Sequence, residues 1–131
     1  MIQPTGAQVN LYADEPETMA RFYRALGFDE RFRFPADGAA RMVEVACGGL
    51  TLGLVSRKDM RDLAGLPTPE APGRAEVVLW CEDLDGSVDQ AVAAGAARVS
   101  GPIDFDRRVR MAWVADPEGN PVKFVCPLSG D

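Results

Sequence analysis

Near the C-terminus an apolar, alternating segment carries one lysine, Lys123, between Val122 and Phe124, just past an Asp-Pro-Glu-Gly-Asn turn at 116–120. A mid-strand lysine points away from the face that its neighbours bury. Other groups with chemistry to offer follow the same alternation: Gln8 and Asn10 share parity with Tyr12, Glu76 with Trp80, and Met111 with Trp113. Amide, carboxylate and ammonium groups bond and pair, while indole and phenol rings stack and attract cations. The chain has no histidine. That removes Ser-His and Cys-His catalysis, histidine proton shuttles and histidine-ligated metals from this chain. Cys47, Cys81 and Cys126 form no Cys-x-x-Cys pair, and each lies in or beside an apolar run. They are expected to be small core residues.

The elements that must position these groups come in two rounds. Residues 7–14, AQVNLYAD, alternate as a half-buried strand, with Val9, Leu11 and Ala13 on one face. Asp14 is placed to cap the following helix, PETMARFYRAL, which carries Met19, Phe22, Tyr23 and Leu26 at helical spacing and ends at Gly27. Strands follow near 29–34, 40–47 and 50–56. Residues 57–73 hold three prolines and two glycines, which reads as a linker with room for a short helix over 58–64. The plan then restarts: the strand AEVVLWCED, a helix LDGSVDQAVAAG with Leu84, Val88, Ala91 and Val92 inward and Gly95 after its end, then strands near 96–100, 108–115 and 121–126. Two strand-helix-three-strand units make an α+β fold of two βαβββ repeats, about 5–57 and 74–127 in a single domain 1–131. The non-helix face of each sheet, carrying Tyr12, Trp80 and Trp113, is expected to line a cleft between curved sheets.

Composition narrows the function. The 131 residues are 47% hydrophobic with a net charge of −6 and a pI near 4.6. The basic residues are scattered among acids, which argues against a nucleic-acid binder. No apolar run reaches the length of a membrane span, and the N-terminal stretch has no signal-peptide pattern, so a cytoplasmic location is expected.

The segments VNLYADEPETMARFYRALGF, VVLWCEDLDGSVDQAVAAGA and WVADPEGNPVKFV resemble the vicinal oxygen chelate superfamily of glyoxalases, extradiol dioxygenases and bleomycin-resistance proteins. The resemblance spans nearly the whole chain, weakest over 57–73. It implies a glyoxalase-like sandwich and, in metal-dependent members, four cleft-facing ligands to one divalent ion. Those positions fall on Gln8, Gly53, Glu76 and Lys123. Gly53 has no side chain and Lys123 brings a cation, so the resemblance is closest to the metal-free bleomycin-resistance branch and implies no cofactor. Lys123 is expected to pair with Glu76, with Gln8 nearby; the alternative is a solvated lysine on a strand edge.

A cleft of this kind suits an aromatic or cationic small molecule, held by Gln8, Asn10, Tyr12, Glu76, Trp80, Met111, Trp113 and Lys123. Sequestration is the expectation, in the manner of drug-resistance proteins. The alternative is a diverged lyase, isomerase or dioxygenase using Glu76. The bland placement of both tryptophans is the core. Relatives of this size also imply a homodimer.

Overall fold

The computed structural model describes residues 3, 5–69, 71–72 and 75–128. The chain forms two compact units, Met1–Pro69 and Glu70–Asp131. Residues 70, 73 and 74, which the sequence places in the linker and at the start of the second repeat, lie outside the described residues.

In the first unit β1 (Val9–Ala13), α1 (Pro16–Ala25), β2 (Asp29–Phe34), β3 (Met42–Cys47) and β4 (Leu50–Ser56) follow one another, and α2 (Arg57–Ala64) closes the unit. The sheet order is β1-β4-β3-β2. β1 runs parallel to β4, and the other neighbours are antiparallel. Alternation decides the faces. Val43, Val45, Leu52 and Leu54 turn toward α1, which presents Met19, Ala20, Phe22 and Tyr23, all buried. Edge-on ring contacts link Phe22 to Tyr23 at 5.0 Å and Tyr23 to Phe28 at 5.5 Å. Truncating Tyr23 to alanine would cost about 3–5 kcal/mol, the range for a fully buried aromatic side chain.

The second unit repeats the order: β5 (Val77–Trp80), α3 (Leu84–Ala93), β6 (Ala97–Phe105), β7 (Val109–Ala115) and β8 (Pro121–Pro127). Its sheet runs β5-β8-β7-β6, again with a parallel first pair. Ala112, Val114, Val122 and Phe124 of β7 and β8 pack against α3, which presents Leu84, Val88 and Ala91. The two major helices stop alike. Gly27 (φ 109°) and Gly95 (φ 120°) take left-handed conformations, and the next amide reaches back to Tyr23 O or Ala91 O, at 3.1 and 2.9 Å. The two βαβββ repeats of the α+β reading are therefore present.

Three local expectations change. Asp14 does not cap α1: the N-cap is Glu15, and Asp14 accepts from Arg57 Nε at 2.9 Å. Arg57 is buried, and its Nη1 also donates to the carbonyls of Thr68 and Pro69. Val92 is 37% exposed because it lies at the margin of the α3 stripe, whose centre is Leu84, Val88 and Ala91. None of the cysteines is fully buried: Cys47 is exposed and Cys81 and Cys126 are half-buried, because all three sit at strand ends.

Candidate functional site

Each unit has one face covered by its helix and one that is not. Strand register fixes which side chains share the uncovered face. In the second unit Val78, Lys123 and Trp113 form one cross-strand row, and Trp80, Val125, Met111 and Ile103 form the next. Neighbours in such rows stand close enough to interact.

The turn that opens this face is locally determined. Asp116 is buried, and its Oδ1 accepts from the amides of Glu118 and Asn120 at 3.0 and 2.9 Å. Gly119 takes φ 91°, and the Asp116 N to Asn120 O bond closes the hairpin. Register then carries Lys123 opposite Trp113.

The mid-strand lysine therefore faces an indole. Lys123 Nζ lies 5.6 Å from the Trp113 ring centroid, at cation–π distance. Trp113 Nε1 donates to Glu76 Oε2 at 2.9 Å. This corrects the expected Lys123–Glu76 pair. Both groups engage Trp113, one at its face and one at its N–H edge, and no ion pair among the described residues joins them. β8 is an inner strand, so the solvated-edge alternative for Lys123 also falls. Neither tryptophan is fully buried: Trp113 is half-buried and Trp80 is 67% exposed. A pocket of about 150 Å³ borders Trp113 from the α3 side, with Asp85, Val88, Arg98 and Gly101 among its walls.

In the first unit the uncovered face carries the row Asn10, Gly53, Glu44 and Phe32, followed by Tyr12, Val55, Met42 and Phe34. Gln8 precedes β1 and reaches along it. Its Nε2 donates to Asn10 Oδ1 at 2.9 Å and to Glu44 Oε2 at 3.1 Å. The Asn10 side chain lies over Gly53: a Cβ built there would overlap Asn10 Oδ1 and stand 3.0 Å from Asn10 Cγ. The glycine is thus the floor beneath a small polar cluster. Glu44 was not singled out in the sequence, yet its flanking buried valines, Val43 and Val45, give the same signal that marked Lys123.

The positions where the resemblance implies metal ligands do not fit a divalent ion. Gly53 lacks a donor and its space is filled by Asn10. Glu76 is engaged by an indole N–H, and Lys123 places an ammonium on the same face. A divalent cation needs several anionic or oxygen donors. Among the described residues, no group of three or more Cys, Asp or Glu side chains is placed to hold one.

The glyoxalase-like domain family model matches residues 8–125. No curated protein sequence matches the chain. Solved structures share the fold. Hypothetical protein SA1046 from S. aureus is 24% identical, with 95% of this chain and 94% of that chain covered and a TM-score of 0.79. TnmS3, an antibiotic binding protein from Streptomyces sp. CB03234, is 23% identical, with 97% and 99% covered and a TM-score of 0.68. A lactoylglutathione lyase from Agrobacterium tumefaciens is 22% identical, with 94% of each chain covered and a TM-score of 0.67. With the family model spanning both repeats and the fold shared by these structures, the chain belongs to the glyoxalase-like domain family of the vicinal oxygen chelate superfamily.

Proposed function

We propose that this chain is a metal-independent binding protein for a small, flat aromatic molecule, held on the uncovered face of the second unit by Trp80, Trp113 and Met111 with polar contacts from Glu76 and Lys123. The observation that carries this reading is the arrangement at Trp113: its N–H edge is tied to Glu76 and its ring face to Lys123, while Trp80 stands 67% exposed. A fixed indole is an anchor whose ordering cost is already met before a ligand arrives. The similarity to an antibiotic binding protein supports the same reading. The exposed Phe32, Phe34, Ile103 and Phe105 further support assembly as a homodimer, which a solution mass at micromolar concentration tests.

Calorimetric titration with a panel of flat aromatic drugs tests the function. Stacking on an indole is worth on the order of 1–2 kcal/mol, roughly five- to thirtyfold in affinity. Trp80→Ala is therefore expected to weaken binding more than Glu76→Gln does, with little dependence on salt. Unchanged affinity in both Trp80→Ala and Trp113→Ala would overturn the reading. Chelator is expected to leave the melting temperature unchanged, and stabilisation by Mn²⁺, Ni²⁺ or Zn²⁺ would count against metal independence.

A further inference from the structure

The two uncovered faces can be compared position by position because their registers match. Asn10, Gly53 and Glu44 stand in one row of the first unit, as Val78, Lys123 and Trp113 do in the second. Lys123 thus has Gly53 as its counterpart, and Trp113 has Glu44. The second unit carries its own ammonium on this face. The first unit carries a carboxylate instead, and no ion pair among the described residues involves Glu44.

What occupies the acceptors is a nitrogen. Gln8 Nε2 bridges Asn10 Oδ1 and Glu44 Oε2, at 2.9 and 3.1 Å. One neutral amide nitrogen therefore supplies donors to two oxygens, one of them anionic. Gly53 leaves room for the Asn10 carbonyl, since a side chain there would displace it. We infer that Asn10 Oδ1 and Glu44 form a subsite for the protonated amine of a ligand, with the Gln8 amide as an internal stand-in that yields to it. This extends the small-molecule reading above and requires neither tryptophan. The physical ground is donor strength. An ammonium brings three N–H groups and a full charge, and charge-assisted hydrogen bonds are about twice as strong as neutral ones. Gln8 lies at the exposed start of β1, so its displacement uncovers no core. One carboxylate with one amide oxygen is too few donors for a divalent ion, but it suits a single ammonium.

The test uses the full ¹⁵N-labelled chain titrated with benzylammonium, and with benzyl alcohol as its neutral counterpart at the same ionic strength. Benzylammonium is expected to shift the side-chain amides of Gln8 and Asn10 and the backbone amide of Gly53 saturably, and benzyl alcohol to leave them in place. Glu44→Gln, which keeps the shape and removes the charge, should weaken the response roughly tenfold. Gln8→Ala should tighten it, because the internal competitor is gone. Equal responses to both probes, no saturable shift at these three residues, or an unchanged affinity in Glu44→Gln would overturn the inference. The indole N–H signals report separately on the aromatic face. Shifts confined to them overturn the amine subsite and leave the aromatic reading standing. Shifts confined to Gln8, Asn10 and Gly53 support the subsite and count against the aromatic reading.

Discussion

The two units share element order, sheet order and helix stop, yet differ in what stands at the centre of their uncovered faces. The first unit buries Phe22, Tyr23 and Phe28 beneath its helix and centres its uncovered face on a glycine. The second packs its helix with Leu84, Val88, Ala91, Ala112, Val114 and Phe124, and centres its uncovered face on Lys123 with tryptophan beside it. The backbone plan sets which positions meet on a face; the residues placed there decide whether that face is a polar cradle or an aromatic platform. The repeated frame is common to both units, and the residues at three register-matched positions supply the difference in chemistry.

Two glycines give the sharpest way to break this comparison. At Gly101 an added Cβ would stand 2.7 Å from Met111 O and 2.9 Å from Ala112 Cα, with φ at 93°. Neither backbone can yield, so Gly101→Ala should destabilise by on the order of 2–4 kcal/mol. At Gly53 the obstacle is the end of the Asn10 side chain, which can swing away. There alanine gains about 0.5–1 kcal/mol in strand preference over glycine and loses an exposed hydrogen bond worth about as much. Gly53→Ala should therefore be near neutral in denaturant unfolding while abolishing the Gln8–Asn10 contact in NMR spectra. A large loss at Gly53 would show that the cluster supports the fold.

The matched pair Trp113 and Glu44 comes next. Trp113→Ala removes a half-buried ring with its Glu76 and Lys123 contacts and should cost about 2–3 kcal/mol. Glu44→Ala removes one partly exposed contact and should stay within about 0.5 kcal/mol. Equal losses would mean that both faces are built for stability alone.

Acid should separate the units more gently. Arg33 donates to both Glu17 and Glu30, and these hydrogen bonds hold both carboxyls below the usual range. In the second unit Arg110 lowers Asp104 in the same way. A carboxyl lowered in the folded state contributes stability above its unfolded pKa, lost as pH falls through the folded value. The first unit has two carboxylates on one guanidinium that is 22% exposed, against one on a guanidinium that is 48% exposed. Amide exchange from pH 5 down to pH 3 should show earlier opening of the first unit, and Arg33→Gln should reduce that acid sensitivity more than Arg110→Gln. The smallest effect concerns thiols. Burial, above all, pushes the Cys81 thiol up, Cys126 and Asp83 add to it, and a hydrogen bond with Ser87 opposes it. Iodoacetamide should label exposed Cys47 first, read by peptide mass and with no change in melting temperature.

The fold was legible because each element carries its own instructions: alternation in MVEVAC, the glycines after α1 and α3, and the Asp116 turn. The polar chemistry was only half legible. Period two shows that Lys123, Glu76 and Trp113 share a face, but which of them pair depends on side-chain reach across strands distant in sequence. Hence the lysine found an indole rather than the carboxylate. Asp14 shows the same limit: a capping residue by its place in sequence, it is claimed by Arg57 from 43 residues away. Glu44 carried a visible signal, yet the family's ligand positions drew the chemistry toward Gly53 on the next strand.

The long outer strand β6 has a consequence for dosage. All nine of its residues are exposed, Val99, Ile103 and Phe105 among them, and such a strand can template pairing with other chains. It is interrupted by Pro102, which has no N–H to offer, by two register shifts, and by Arg98 and Asp104. A catalyst can be scarce, but a protein that acts by holding its ligand one for one must be as abundant as the ligand. Under the proposed binding function this chain must reach that level, and its broken edge disfavours the strand pairing that would precipitate it.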